Sequence, residues 1–399
     1  MNRAGIYLSV PFCRQKCTYC NFASDIFPIS LLSSYLRLLE SEIIQHSALC
    51  QKAGLPAWEG VPVDTVYMGG GTPGLLTGEQ LQSLLGAVRR SFHVEPVAEI
   101  TLEASPENVT PANAAAWAAG GINRISLGVQ SVVSQELRAV GRMHDAPMVR
   151  QAFTTLQAAG IENISADLIA GLPHQTAPSW KASLDVLLEL EPAHLSVYML
   201  EVDEDSRLGR EILRQAQDKV REYGARYHAD AIPSEEQVAD FYCIAVETLR
   251  EADFDHYEIS NFARPGRESR HNLKYWTDAP YFGFGVDAHS YDGERRWANA
   301  DSLAIYLKTM ERGEPPFSHS TALGPQEKLE ERLFLGLRRR QGVSLSKIGS
   351  EFAVVVSQRY ERSIQEFCQA GWLEQDGDWL RLTDSGLLFS NEVFAGFLA

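Results

Sequence analysis

From about residue 6 to residue 200 the chain alternates short apolar runs with helix-length amphipathic or alanine-rich stretches. Strands are expected at Ile6–Val10, Thr65–Met68, Glu99–Glu103, Arg124–Val129, Ile164–Ile169 and Leu195–Leu200. Helices are expected at Leu31–Gln45, Gly78–Phe92, Pro111–Ala119, Ser134–Val140, Pro147–Ala159 and Ser179–Glu189. The strand runs lack the clean polar alternation of a half-exposed sheet. That pattern, with helix-length crossovers between runs, indicates parallel strands covered by helices. The exits at Gly120-Gly121 and Gly160 each place glycine just past a helix with an apolar strand soon after. Polar features gather where the strands end. Residues 13–20 follow the first strand, 69–73 the second and 171–173 the fifth, while Glu103, Gln130 and Asp167 lie at or near the ends of the third, fourth and fifth. In a parallel barrel that edge carries the chemistry. An α/β fold is expected, with a partial (β/α)6 TIM-like barrel and additional C-terminal elements over residues 1–310.

The run Gly313-Glu314-Pro315-Pro316 marks a boundary, so residues 311–399 read as a smaller C-terminal domain. It holds helices followed by a β-hairpin, whose turn is signalled by Asp376-Gly377-Asp378 between two apolar runs, as in a winged-helix module. Leu208–Tyr227, rich in charged residues, reads as an exposed helix or a lid-like excursion. A net charge of −16 argues against nucleic acid and against an anionic membrane surface as partners. Arg295-Arg296 and Arg338–Arg340 are read as solvated or ion-paired surface. With no signal sequence and no membrane-length apolar stretch at hand, the expected location is cytoplasmic.

Cys13, Cys17 and Cys20 offer three thiols within eight residues, in a loop leaving a strand, while Cys50, Cys243 and Cys368 are scattered and read as small buried hydrophobes. Four thiolates saturate a [4Fe–4S] cluster; three leave one iron open to an outside ligand. Structural zinc competes, but no fourth Cys or His lies at a usual local spacing. Tyr19 precedes the last cysteine, and Cys-x-x-x-Cys-x-x-Cys in this form is specific for radical S-adenosylmethionine (radical SAM) proteins.

The chain resembles the oxygen-independent coproporphyrinogen III oxidase-like family along essentially its whole length, and within it the radical-SAM heme chaperones. The likeness rests on residues 5–13, 69–73, 126–130, 167–173, 257–266, 271–276 (His-Asn-Leu-Lys-Tyr-Trp) and 382–388. Ser9 stands where relatives usually have histidine. The resemblance implies a radical-SAM barrel whose cluster, held by Cys13, Cys17 and Cys20, binds S-adenosylmethionine and cleaves it reductively to a 5′-deoxyadenosyl radical. It assigns Gly70, Gly71 and Thr72 to the methionine moiety, Arg142 to its carboxylate and Asp167 to the ribose hydroxyls. Glu103 and Gln130 become polar contacts, and Tyr7, Tyr19, Leu200 and His289 line the nucleoside or an adjacent site. His271 is the expected heme ligand. Cys20-Asn21-Phe22 lacks the further cysteine of the true oxidases, and no extension precedes Gly5-Ile6-Tyr7. A heme chaperone is therefore expected, binding the cluster, S-adenosylmethionine and heme. It would draw on an electron donor, serve apo-hemoproteins such as respiratory enzymes, and meet membranes only through those recipients. Coproporphyrinogen III oxidation is the alternative, and a heme-modifying radical enzyme a third reading.

Overall fold

The computed structural model describes residues 3–57, 60–216 and 227–398. Strands β1 (Ala4–Val10), β2 (Pro62–Gly70), β3 (His93–Ala104), β4 (Arg124–Gln130), β5 (Asn163–Ala170) and β6 (His194–Met199) lie side by side in chain order, all parallel. They centre on the six expected runs and are longer where ladder pairing continues past the apolar segment. β3, for instance, begins at His93 because Pro62 and Val63 pair with His93 and Val94.

Helices α1 (Ile29–Lys52), α2 (Gly78–Ser91), α3 (Pro111–Gly120), α4 (Ser134–Ala139), α5 (Ala146–Ala158) and α6 (Ala177–Glu189) lie between these strands. Side-chain caps fix the starts of α2, α3, α5 and α6: Thr77 with Gln80, Thr110 on Asn113 N–H, Asp145 on Met148 N–H, and Thr176 with Ser179. α1 outruns its expected end because His46, Leu49 and Cys50 are buried, with the His46 ring stacked on Phe92 at 4.9 Å.

After α7 (Arg207–Ala216) and α8 (Glu235–Glu251), β7 (Asp255–Glu258) and β8 (Asn261–Ala263) form a hairpin, and β8 pairs antiparallel with β6. Helix α9 (Arg270–Trp276) then takes the chain to the opposite edge. There β9 (Tyr281–Phe284) pairs parallel with β1, and β10 (His289–Tyr291), β11 (Arg295–Asn299) and β12 (Phe317–Ala322) add antiparallel strands. Among the described residues the sheet has twelve strands in the order β12-β11-β10-β9-β1-β2-β3-β4-β5-β6-β8-β7. The partial six-unit barrel is its parallel core. Of the segment expected as an exposed excursion, Leu208 is fully buried; residues 217–226 lie outside the described residues.

The C-terminal part packs helices around a three-stranded antiparallel sheet of Val343–Ser344, Leu373–Asp376 and Trp379–Leu382. Asp376 pairs with Trp379 across a Gly377-Asp378 turn in which Gly377 has φ +58°, the left-handed backbone that the Asp-Gly signal predicts. Arg338–Arg340 form a seam. Ile259 N–H donates to Arg338 O and Arg340 N–H to Tyr257 O, at 3.1 Å each. The Arg338 guanidinium lies 4.2 Å from the Trp276 ring centre and 3.8 Å from the buried Glu258 carboxylate. Arg340 pairs with Asp384 at 2.6 Å.

Candidate functional site

The loop leaving β1 is held by its backbone. Cys13 N–H donates to Asp25 O and Asp25 N–H to Pro11 O, both at 3.0 Å; Thr18 N–H reaches Val140 O at 3.3 Å, and Leu208 N–H reaches Thr18 O at 3.0 Å. Cys13, Cys17 and Cys20 are free thiols of intermediate exposure on this loop. The Thr72 hydroxyl lies 3.8 Å from Cys13 Sγ, and Ser24 Oγ 3.9 Å from Cys20 Sγ. Burial raises the Cys13 thiol above its ordinary value, which a bound cation would reverse. Among the described residues no three His, Cys, Asp or Glu side chains converge as a single metal ion requires. A [4Fe–4S] cluster asks for something else, since each thiolate binds its own iron. Three thiols spread along one loop fit that demand.

β2 runs directly into Gly69-Gly70-Gly71. A Cβ on Gly71 would stand 2.8 Å from the carbonyl oxygens of Val10 and Phe12, and one on Gly69 would stand 2.8 Å from Glu103 Oε1. Gly70 has φ +101°. Gly71 N–H and Thr72 N–H donate to those same two carbonyls at 2.9 Å, so the glycine segment and the cysteine loop are one unit.

Facing this unit, Glu103 accepts the Tyr67 hydroxyl at 2.9 Å, and burial, with Asp167 adding, holds its carboxyl up at about 7. Asp167 accepts Ser126 Oγ at 3.2 Å and is likewise raised by burial. Arg142 donates to Tyr19 Oη at 3.3 Å and to Ser105 Oγ at 3.4 Å, while its Nε and Gln130 Oε1 are buried without a protein partner. Both side chains flank Gly128, whose Cβ position is 3.2 Å from Gln130 Nε2 and 3.5 Å from Arg142 Nη2. The unpartnered Gln130 Oε1 and Arg142 Nε, on two side chains that both approach Gly128, leave polar capacity that a polar ligand would fill. Gln130 also adopts φ +64°. Tyr19 and Leu200 pack on Val140, Ile169 and Leu172, forming an apolar patch beside the polar set.

A cavity of about 300 Å³ adjoins this edge, lined among others by Tyr7, Gly70, Phe22, Tyr275, Asp287 and His289. Phe22, two residues beyond Cys20, is 67% exposed. His271 stands apart from this opening. It is 1% exposed on α9, with Nδ1 2.9 Å from Thr65 Oγ1 and Nε2 3.0 Å from Tyr275 Oη. Burial, helped by Lys274 and Arg124, pushes its pKa down to about 3. The imidazole is neutral, and both nitrogens are committed to partners. Nor is Cys243 the buried hydrophobe expected of it: it is exposed on α8, while Cys50 is buried and Cys368 intermediate.

Tyr67, Ser105 and Asp287 escaped the sequence reading, and Ser126 stood in a quoted motif without a role of its own. Tyr67 alone had a usable signal there, because it precedes Gly69 by two strand positions and shares its face.

The family model for the radical SAM superfamily matches residues 7–187, and the model for the HemN C-terminal domain matches residues 323–389. The heme chaperone HemW of Bacillus subtilis is 32% identical over 98% of both chains. This chain belongs to the HemW family of radical SAM proteins. HemW of Mycobacterium tuberculosis is 34% identical across 98% of this chain and 93% of its own. The solved structure of coproporphyrinogen III oxidase (HemN) from Escherichia coli matches with a TM-score of 0.83 at 22% identity, covering 99% of this chain and 90% of that one. That likeness establishes a shared fold, partial barrel and C-terminal region included.

Proposed function

We propose that this chain carries heme to apo-hemoproteins, with a [4Fe–4S] cluster on Cys13, Cys17 and Cys20 and S-adenosylmethionine beside it. The whole-chain likeness to proteins named heme chaperone HemW carries the reading, and the cavity lined by Phe22 and His289 beside the cysteine loop supports it. When bound, the cluster with S-adenosylmethionine supplies one-electron reductive chemistry; the protein's part is orientation and shielding. Gly70, Gly71 and Thr72 offer backbone groups to the methionine moiety. Arg142 presents its guanidinium to the ligand carboxylate, Asp167 accepts the ribose hydroxyls, and Glu103 and Gln130 complete the polar wall. Tyr7, Tyr19 and Leu200 supply its apolar contacts. Recipients would be apo-hemoproteins such as respiratory enzymes, an electron donor would reduce the cluster, and the work would be cytoplasmic. Among the described residues no helix is long and apolar enough to cross a membrane.

Cys20-Asn21-Phe22 separates this reading from coproporphyrinogen III oxidation, because an exposed phenylalanine ends the motif where the oxidases continue to cysteine. The test pairs a heme titration with a protoporphyrinogen IX product assay on anaerobically reconstituted, reduced protein. Saturable heme binding with little or no product is expected. Repeated turnover to protoporphyrinogen IX without saturable heme binding would establish the oxidase instead.

A further inference from the structure

The first residue of β4 is an arginine almost wholly withdrawn from water. Arg124 is 2% exposed, and its Nε meets no hydrogen-bond partner. No carboxylate of the described residues lies within ion-pair distance of it. A guanidinium that stays charged in such a place needs an opposite charge close by. Arg124 and Ser126 alternate onto the same face of β4, about 6.6 Å apart along the strand. Ser126 Oγ lies 3.2 Å from an Asp167 carboxylate oxygen. That carboxylate therefore stands one step beyond Arg124 on the face both share, within the reach of an arginine side chain. The other charged groups of this region are engaged elsewhere. Glu99 accepts the N–H groups of Arg270 and His271 at 3.1 Å each, and Asp64 pairs with Lys274 at 2.5 Å. His194 lies between Ser165 Oγ and Tyr257 Oη, at 2.8 Å from each. It and His271 are kept neutral by burial, with Arg124 adding.

We infer that Arg124 is a positioning residue for S-adenosylmethionine: its buried cation, one strand step below Asp167, holds that carboxylate as the acceptor for the ribose hydroxyls. The inference rests on the role given to Asp167 above. The groups that face Asp167 are Tyr67 of β2, Glu103 of β3, Arg124 and Ser126 of β4, Arg142 beyond α4, and Ser196 and Tyr198 of β6. Burial works against ionisation of both Asp167 and Glu103, and Asp167 adds to the rise at Glu103. A cation beneath one of two neighbouring carboxyls biases ionisation toward that one. Arg124 opposes the rise at Asp167 more than Arg142 does. Arg142, moreover, is assigned to the ligand carboxylate, so with the ligand in place Arg124 is the cation left to Asp167. The distinction matters for binding, because an ionised carboxylate accepts from both ribose hydroxyls while a protonated one spends an oxygen on its own hydrogen.

The test measures S-adenosylmethionine binding by anaerobic calorimetry on the full chain with its cluster reconstituted, between about pH 6 and about pH 8.5. Arg124→Gln should weaken binding about tenfold or more at the acid end and recover part of that loss at the alkaline end, because without the cation Asp167 takes up its proton at a higher pH. Arg124→Lys should restore the parent profile. In an Asp167→Asn chain there is no charge to hold, so adding Arg124→Gln should cost no further affinity. An arginine that only supports the fold would cost the same in either background. Equal losses at every pH, or additive losses in the double variant, would overturn the inference and leave the role of Asp167 standing. Should Arg124→Gln fail to fold, Asp167→Asn decides alone: it leaves Arg124 buried with no counter-charge, so its urea midpoint should fall, and an unchanged midpoint would overturn the inference. Unaltered binding in Asp167→Ala would instead remove the ribose role itself.

Discussion

Cys17 sits mid-loop between two other thiols, on a backbone pinned by residues far outside the motif, so Cys17→Ala should leave the fold in place and remove the cluster. After anaerobic reconstitution the parent chain should hold roughly four irons and four sulfides; the variant should lack the cluster's charge-transfer absorbance, and a full-strength band would reject the assignment. Arg142→Ala and Asp167→Ala should each weaken S-adenosylmethionine binding by about one to a few kcal/mol, read by anaerobic calorimetry. Unchanged affinity in both would remove those roles. His271→Ala belongs to stability instead. It opens a buried gap and orphans Thr65 and Tyr275, so unfolding should become easier by about 2–4 kcal/mol, measured as a shifted urea midpoint. The cysteines, the glycine run and the strand-end carboxylates were legible in the sequence because each carries its chemistry within a few residues. The Tyr67–Glu103 and Ser126–Asp167 contacts were not, since they depend on register between strands more than thirty residues apart in the chain. The surroundings of His271 were hidden for a related reason. Its motif names an imidazole beside aromatics, while burial and two hydrogen bonds decide what that imidazole can do.

The six parallel strands and their helices were readable because long apolar runs and capped amphipathic helices signal locally. β7 to β12 were not, being three to six residues each. β12, Phe-Ser-His-Ser-Thr-Ala, has the composition of a loop and is a strand only because β11 pairs with it. The arginine run shows the same dependence on context. Read as ion-paired surface, Arg338 and Arg340 do pair, and in doing so they join the C-terminal helices and small sheet to the β7 edge. Glu258 is fully buried there, and burial raises its carboxyl while Arg338 lowers it. Arg338→Ala should destabilise the protein by about 3 kcal/mol at most, because Glu258 can take a proton in place of its partner. Amide exchange should quicken first along the seam at residues 257–259 and 338–340. Uniform exchange across the chain would show that the seam is not a separate weak point.

Across the molecule, Glu42 of α1 ties the β1 side of the barrel to its antiparallel extension. It accepts Asn299 Nδ2 at 2.7 Å, Gly285 N–H at 2.9 Å and the Tyr306 hydroxyl at 2.6 Å. Burial nevertheless raises its pKa from 4.5 to about 7. Between those values the folded chain keeps a proton that the unfolded chain gives up, so stability falls as pH rises through the window. A shift of this size is worth about 3 kcal/mol at most. Glu103 acts with the same sign, whereas buried His46 and half-buried His256, both pushed down to about 4 by burial, act oppositely. On going from pH 5.5 to 8 the urea midpoint should therefore shift in a more stabilising direction in Glu42→Gln than in the parent, a comparison in which the other groups cancel; equal pH slopes would exclude Glu42 as a contributor. The placement of β1 has a consequence for synthesis. One neighbour, β2, begins at Pro62, but the other, β9, begins at Tyr281. At about 5–20 residues per second, β1 leaves the ribosome with one edge unpaired and waits roughly 10–40 s for its second partner. The cysteine loop thus leaves a strand that is translated long before its second partner. Any stall between codons 70 and 281 lengthens that interval directly.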